Sequence, residues 1–307
     1  MNQQGKLIIT GASGFTGRHA CAHFLKSGFD ITAVSRKKIT IDKEIQGECC
    51  DLTNKKEVYS LIKMTKPQYL LHLAGQNHVG ESWLDPVSSL EANSMSTAYL
   101  IDAVRKESPT CKILIVGSAL QFDPTSISTL SHPYSLSKTL QVLIAQSWAV
   151  LYNMDIVIAK PSNLIGPGFS KGVCSVFAQK IVEMEMQKAE KVLEVHNLNV
   201  KRDFLDVRDA VKAYEILLKM GKSGEVYDVA SGNNCSLGEI IEGYKSITSE
   251  DIEVKSHRHD LIEKNIEIDP NKLVHLGWKP RIPLESSLLA ILNFYRRVKL
   301  KYGETEM

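Results

Sequence analysis

Lys6-Leu7-Ile8-Ile9-Thr10-Gly11-Ala12-Ser13-Gly14-Phe15-Thr16-Gly17 runs an apolar segment straight into three glycines. The apolar part reads as a buried first strand, and Phe15 to Lys26 reads as the helix that follows it. At a strand-to-helix turn each glycine has a use. Gly11 permits the tight turn, Gly14 lets a backbone approach a pyrophosphate, and Gly17 lets helix and strand pack closely. Ser13, Phe15 and Thr16 lie in the same loop and first turn, where unpaired N–H groups and the helix dipole favour an anion. The spacing G-x-x-G-x-x-G therefore predicts a dinucleotide bound at residues 11–17.

Downstream, strand and helix alternate. Strands are expected at Lys6–Thr10, Asp30–Ser35, Tyr69–Leu73, Lys112–Gly117 and Asp155–Lys160, with helices near 15–27, 54–66, 86–106 and 134–153. That rhythm predicts an α/β fold, a Rossmann-type doubly wound parallel sheet whose strand C-termini share one ligand-binding edge. After Pro161 it loosens. Helices are expected near 173–190, 205–220, Ser236–Ile247 and Leu284–Val298, with a short strand at Ile252–Lys255. We expect residues 1–165 to form the cofactor domain, with 203–220 returning to it. Residues 166–307 should form a smaller C-terminal lobe that packs over the strand ends.

Composition excludes more than it assigns. A chain of 307 residues, 43% hydrophobic and carrying a net charge of +2, demands neither a nucleic acid nor a membrane partner. No apolar run of about 18 residues and no signal-peptide pattern is visible, so a cytoplasmic protein is expected. The six cysteines contain no C-x-x-C, and vicinal Cys49-Cys50 suits a disulfide poorly, so free thiols are expected. The histidines form no metal-ligand spacing, His257 and His259 included, and no metal is implied.

The residue after the second strand separates the two nicotinamide cofactors. A carboxylate there would bind ribose hydroxyls, whereas this chain reads Val34-Ser35-Arg36-Lys37-Lys38. Arg36 offers a planar fork and Ser35 a hydroxyl to a 2′-phosphate, so NADP(H) is expected over NAD(H). Asp51 and Leu52, after the next extended segment, are placed to meet the adenine, and Leu73, Ala74 and Gly75, ending the fourth strand, to line the nicotinamide side.

Tyr134-Ser135-Leu136-Ser137-Lys138 sets Tyr and Lys one turn apart on a helix that starts at Pro133. Ten tyrosines and 37 Lys or Arg in 307 residues make about one such pair expected by chance, and Tyr59/Lys63 and Tyr295/Lys299 also match. Only Tyr134 follows a strand ending in a hydroxyl residue, Ser118. A phenol of ordinary pKa about 10 needs help to exchange a proton near neutrality, and a neighbouring ammonium gives it. Ser118 would hold a substrate carbonyl, Lys138 would tune Tyr134 and hold the cofactor ribose, and Asn93 on the intervening helix would support the proton path.

Gly11-x-x-Gly14-Phe15-x-Gly17, Leu71-His72-Leu73-Ala74, Asn93, Ser118, Tyr134-x-x-x-Lys138 and Asn163-Leu164-Ile165-Gly166-Pro167-Gly168 together resemble the extended short-chain dehydrogenase/reductases, the NAD-dependent epimerase/dehydratase family. Residues 201–210 and 277–284 are similar to its nucleotide-sugar members, above all the GDP-4-keto-6-deoxy-D-mannose reductases. The resemblance implies an NADP-dependent oxidoreductase with a nucleotide-diphosphate sugar as substrate, held by Asn163, Arg202 and Arg258. It implies Pro161 on the cofactor path and a homodimer packed through the Tyr134 helix and the long helix before it. Arg208 is instead expected in a salt-bridge cluster with Asp203, Asp206 and Asp209.

Three departures from the family pattern bear on the sugar and base: Phe122-Asp123 in place of Tyr-Gly, a short loop 123–133, and His196-Asn197-Leu198 near the base pocket. The family's 4,6-dehydratases carry an acid soon after the catalytic hydroxyl residue; here Ser118 is followed by Ala119-Leu120-Gln121. A 4-ketoreductase is thus expected. The alternatives are a 4-epimerase with tightly bound NAD and a non-catalytic NADP(H)-binding regulator.

Overall fold

The computed structural model describes residues 4–256 and 268–303. Val-, Ile- and Leu-rich runs make a central parallel sheet, buried on both faces. Its strands are β1 (Lys6–Thr10), β2 (Asp30–Ser35), β3 (Gln46–Cys49), β4 (Tyr69–His72), β5 (Lys112–Val116), β6 (Ile156–Pro161) and β10 (Val226–Val229). They lie in the order β10-β6-β5-β4-β1-β2-β3, and every pair is parallel. The order reverses between β1 and β4, and a doubly wound sheet binds ligands at that switch point.

Helices α1 (Phe15–Lys26), α2 (Lys55–Thr65), α3 (Val79–Leu84), α4 (Pro86–Leu90), α5 (Ser96–Glu107) and α6 (Pro133–Tyr152) belong to the same compact unit. One core of this unit joins Ile8, Ile62, Leu70, Ile101, Ile113 and Ile158, all essentially inaccessible to solvent. The helix expected at 86–106 is present as one continuous run, α4, a π-helical turn at Glu91–Met95 and α5. No proline or glycine in the sequence announces the π turn within it. Strand β3 stands in the extended segment expected before Asp51, whereas β10 was not expected. Both are short edge strands, and β3 (Gln46-Gly47-Glu48-Cys49) is too polar and exposed to show a hydrophobic period.

The chain divides at Pro161 into two compact units. The first also takes Val211–Val229 and Asn271–Trp278; the second comprises Ser162–Ala210, Ala230–Pro270 and Lys279–Met307. Helix α8 (Val207–Met220) contains the junction between Ala210 and Val211.

The second unit holds β7 (Asn163–Ile165), β9 (Lys201–Asp206) and β11 (Asn234–Ser236) in one sheet, and β8 (Val192–Val195) with β12 (Glu253–Ser256) in another. Helices α7 (Val173–Glu185), α9 (Leu237–Lys245) and α10 (Leu284–Gly303) enclose a separate core of Phe177, Ile181, Leu193, Ile241, Tyr244 and Ile291. Ser236 and Glu239 start α9 with a reciprocal capping box, satisfying two N–H groups that a helix end otherwise leaves open. The helix predicted to run to 190 stops at Glu185.

All six cysteines are free thiols, and burial pushes Cys21 and Cys50 up to about 12. Among the described residues, no helix is long and apolar enough to cross a membrane, and no cluster of His, Cys, Asp and Glu could hold a metal ion.

Candidate active site

The turn after β1 is built for close approach. Gly11 has φ +68°, and a Cβ there would lie 2.8 Å from the backbone nitrogen of Ala74, so two independent constraints require glycine. A Cβ on Gly17 would overlap the Gly11 carbonyl oxygen, which fixes α1 tightly against the turn. Exposed Gly14 caps α1 without a side-chain hydrogen bond, and the first intrahelical bond runs from Arg18 N to Gly14 O at 3.1 Å. The N–H groups of Phe15, Thr16 and Gly17 thus have no acceptor within the helix, a cradle that fits a pyrophosphate. Exposed Ser13 accepts from Arg18 Nε through its carbonyl at 3.1 Å.

At the end of β2, the Ser35 hydroxyl is buried and donates to the Lys37 carbonyl. Its hydrogen is turned inward, so of the predicted pair only the exposed Arg36 presents a donor group to solvent. Asp51 is exposed. The Thr53 N–H and hydroxyl, at 3.0 and 2.8 Å, hold its carboxyl below the usual range, and Arg36 adds to this. Leu52 is buried, Leu73 and Ala74 are half-buried, and Gly75 is exposed after β4. Pro161 closes β6 and accepts from Ala119 N at 3.0 Å.

Helix α6 begins where Pro133 supplies a pre-set φ and the His132 ring accepts from Ser135 N at 2.9 Å. That places Tyr134 in the first turn, buried, with its backbone N–H on Ser82 Oγ at 3.0 Å. Ser118 follows β5, and its Oγ accepts from Leu120 N at 3.1 Å. Burial pushes the Tyr134 phenol above its ordinary value, while a hydrogen bond with Ser118 pulls it back in part. One turn on, Lys138 is also buried. Its Nζ donates to the Val116 carbonyl at 2.8 Å and to Gln141 Oε1, and burial lowers its pKa to about 7. Tyr59 and Tyr295 stand elsewhere, tied to Glu107 and to the Gly168 carbonyl.

Asn93 sits in the π-helical turn and is wholly buried. Its Nδ2 donates to the Gln76 carbonyl at 3.0 Å and Ser137 Oγ at 2.8 Å, and its Oδ1 accepts from Gln76 N at 2.9 Å. Its amide thus braces α6 between Tyr134 and Lys138. A Cβ on Gly75 would overlap Asn93 Oδ1.

Behind these residues lies a chain of buried polar groups, of which the sequence analysis did not single out Gln141 and Thr97. Gln141 Nε2 donates to Thr97 Oγ1 at 2.9 Å, and Thr97 Oγ1 lies 2.9 Å from His72 Nε2. His72 Nδ1 lies 2.7 Å from Thr10 Oγ1, which accepts from Ala74 N at 3.2 Å. Burial, with the Lys138 charge beside it, lowers His72 to about 3 and keeps it neutral. The available signal was the oddity of Thr10 and His72 inside otherwise apolar strands.

In the second unit, Asn163 on β7 is half-buried and donates to the Asp203 carbonyl at 2.9 Å; Arg202 is exposed on β9 opposite Cys235. Arg208 makes a two-pronged pair with the inaccessible Asp206 carboxylate at 2.8 and 2.7 Å, and Ser287 Oγ adds a bond at 2.7 Å. Burial opposes ionisation of Asp206, yet these donors hold its pKa below the ordinary value. The expected cluster is looser than that. Asp203 receives the N–H groups of Ser231, Gly232 and Asn233, and Asp209 those of Arg281 and Ile282, so both pin loops. Arg258 lies outside the described residues, as do His257 and His259.

This combination of sheet order, glycine turn and Ser118/Tyr134/Lys138 set defines the class. The chain belongs to the NAD dependent epimerase/dehydratase family, whose profile matches residues 7–230. Members of the family bind a nicotinamide dinucleotide. The chain is 28% identical over 305 residues to GDP-6-deoxy-D-mannose reductase of Pseudomonas aeruginosa, covering 94% of this chain and 96% of the relative. A solved structure of RMD from Pseudomonas aeruginosa complexed with NADPH superposes with a TM-score of 0.83 at 28% identity, over 96% of this chain and all of that one. Mouse dTDP-D-glucose 4,6-dehydratase is 25% identical over 328 residues, covering 95% of this chain and 89% of the relative.

Proposed function

We propose that this chain is an NADPH-dependent reductase of the C4 keto group of a nucleotide-diphospho-4-keto-6-deoxyhexose, with the GDP-linked mannose derivative as the first substrate to test. The carrying observation is the buried Ser118–Tyr134 pair with Lys138 one turn on, followed by Ala119-Leu120 where a dehydratase needs an acid. The likeness to a reductase and to a structure complexed with NADPH supports the same reading.

The turn at Gly11, Ser13, Gly14, Phe15, Thr16 and Gly17 would hold the pyrophosphate, Arg36 the 2′-phosphate, Asp51 and Leu52 the adenine, and Leu73, Ala74, Gly75 and Pro161 the nicotinamide side. Bound NADPH supplies the hydride. Ser118 and Tyr134 direct their hydroxyls at the carbonyl oxygen, and Tyr134 gives it a proton as charge develops there. Burial keeps the phenol protonated until that moment, which suits an acid in the reductive direction. Lys138, as an ammonium, stabilises the phenolate left behind. Asn163 and Arg202 bind the sugar nucleotide. A homodimer belongs to the same reading: Leu143 on α6 is exposed, whereas Ile144 and Trp148 pack on the sheet core.

The test is NADPH oxidation, followed by absorbance, with GDP-, UDP- and dTDP-4-keto-6-deoxysugars made in situ. Turnover of one of them, abolished by Tyr134→Phe, is expected. Tightly bound NAD with no need for added NADPH would replace this reading with epimerisation.

A further inference from the structure

Lys138 carries a residue behind it that nothing in the reaction chemistry demands. Gln141 lies three residues on in α6, is completely buried, and faces Lys138 with its amide oxygen. The hydrogens of the surrounding network can be placed one by one. Thr97 Oγ1 has a single hydrogen, directed to the Asn93 carbonyl at 2.7 Å. It must therefore accept both from Gln141 Nε2 and from His72 Nε2, which sets the Gln141 amide oxygen toward Lys138 and puts the His72 proton on Nε2. His72 Nδ1 then accepts from the Thr10 hydroxyl, whose oxygen takes the Ala74 N–H. The hydroxyls of Thr97 and Thr10 and the His72 N–H are each assigned one acceptor, and reversing the Gln141 amide would set a donor against the lysine.

We propose that Gln141 is a positioning residue that holds Lys138 by one N–H while Val116 O takes a second, directing the third toward the site. It also ties the lysine through Thr97 to the π-helical turn that carries Asn93, so two parts of the site share one anchor. This rests on the reading of Lys138 as part of the reductase site. An uncharged acceptor in this place favours the ammonium over the amine without forming an ion pair. The titratable groups facing Lys138 are Tyr134, one turn earlier on α6, and His72 on β4; burial holds the histidine neutral.

The test uses the full chain labelled at its lysine side chains, with the Lys138 titration followed by NMR in the absence of substrate. Gln141→Met keeps the shape and removes the acceptor, and the Lys138 midpoint is expected to fall by about one to two pH units. Gln141→Glu supplies a charged acceptor, and the midpoint is expected to rise. In the turnover assay the Met variant should lose kcat about tenfold at neutral pH, with KM for NADPH little changed, and the Glu variant should recover most of it. Coincident Lys138 titrations in parent and Met variant overturn the proposal, as does a fall in the Glu variant. If the Met variant does not fold, the direction of the Glu shift decides alone. Absence of turnover by the parent on every ketosugar defeats the reductase reading, and the Lys138 titration still judges Gln141.

Discussion

Replacing Gly75 with alanine presses on one contact on which the catalytic helix depends. Gly75 is exposed and is absent from the glycines with positive φ, so alanine meets no backbone strain and buries nothing new. Its Cβ would instead overlap Asn93 Oδ1, which has to retreat by about 1 Å to reach ordinary contact. That retreat breaks the 2.9 Å bond from Gln76 N and pulls on the 2.8 Å bond to Ser137 Oγ. A buried amide deprived of one partner costs about 1–3 kcal/mol. Because Ser137 lies between Tyr134 and Lys138, a shift of that size is expected to lower kcat about a hundredfold. Urea unfolding measures the first effect and NADPH oxidation the second. The control is Asn93→Ala, which removes the clashing oxygen. In that background Gly75→Ala should cost less than about 0.5 kcal/mol. Additive costs in the double variant would refute the reasoning.

Arg36→Ser should weaken NADPH binding about ten- to a hundredfold and leave NADH nearly unchanged, as fluorescence titration of the two cofactors would report; equal losses would count against Arg36 as the phosphate ligand. Folded His72 titrates at about 3 against 6.5 unfolded, so between those values the unfolded state binds a proton that the folded state refuses. Stability is therefore lost as pH falls from about 6.5, by up to about 1.4 kcal/mol per unit, and urea unfolding at pH 7 and 5.5 should show a shallower loss in His72→Gln. Glu215, lowered to about 2 by His23 and Lys219 against its burial, steepens the same loss below 4.5. Asp206→Asn leaves Arg208 without its carboxylate; since the Arg208 side chain is 38% exposed and can be hydrated, about 2 kcal/mol is expected in thermal or urea unfolding rather than the full cost of a buried pair.

The parts of this molecule legible in its sequence are those where one residue type has one physical use. Gly11 and Gly17 stand where a side chain cannot, and Tyr134 and Lys138 are joined by the pitch of a helix whose start Pro133 marks. The five inner strands announce themselves by apolar runs. Strands β3 and β10 do not, because edge strands carry little of the core. The π-helical turn at Glu91–Met95, which carries Asn93 to Ser137 Oγ, has no local signature. Gln141 and Thr97 were hidden in the same way. On a helix, a buried polar residue and a solvated one have the same spelling. Ser35 shows the converse: its type suited a phosphate, but its rotamer is taken by the Lys37 carbonyl two residues on.

The late arrival of β10 has a consequence for how the chain is made. Strand β6 pairs on one side with β5, and its other edge waits for Val226–Val229, encoded after the whole of Ser162–Ala210. A nascent chain that has released only β1 to β6 therefore carries an open, apolar parallel edge through the synthesis of that entire intervening stretch. Such an edge is a template for pairing with another chain. Chains halted before Val226 are thus expected to aggregate at β6, and the risk ends when β10 closes the sheet.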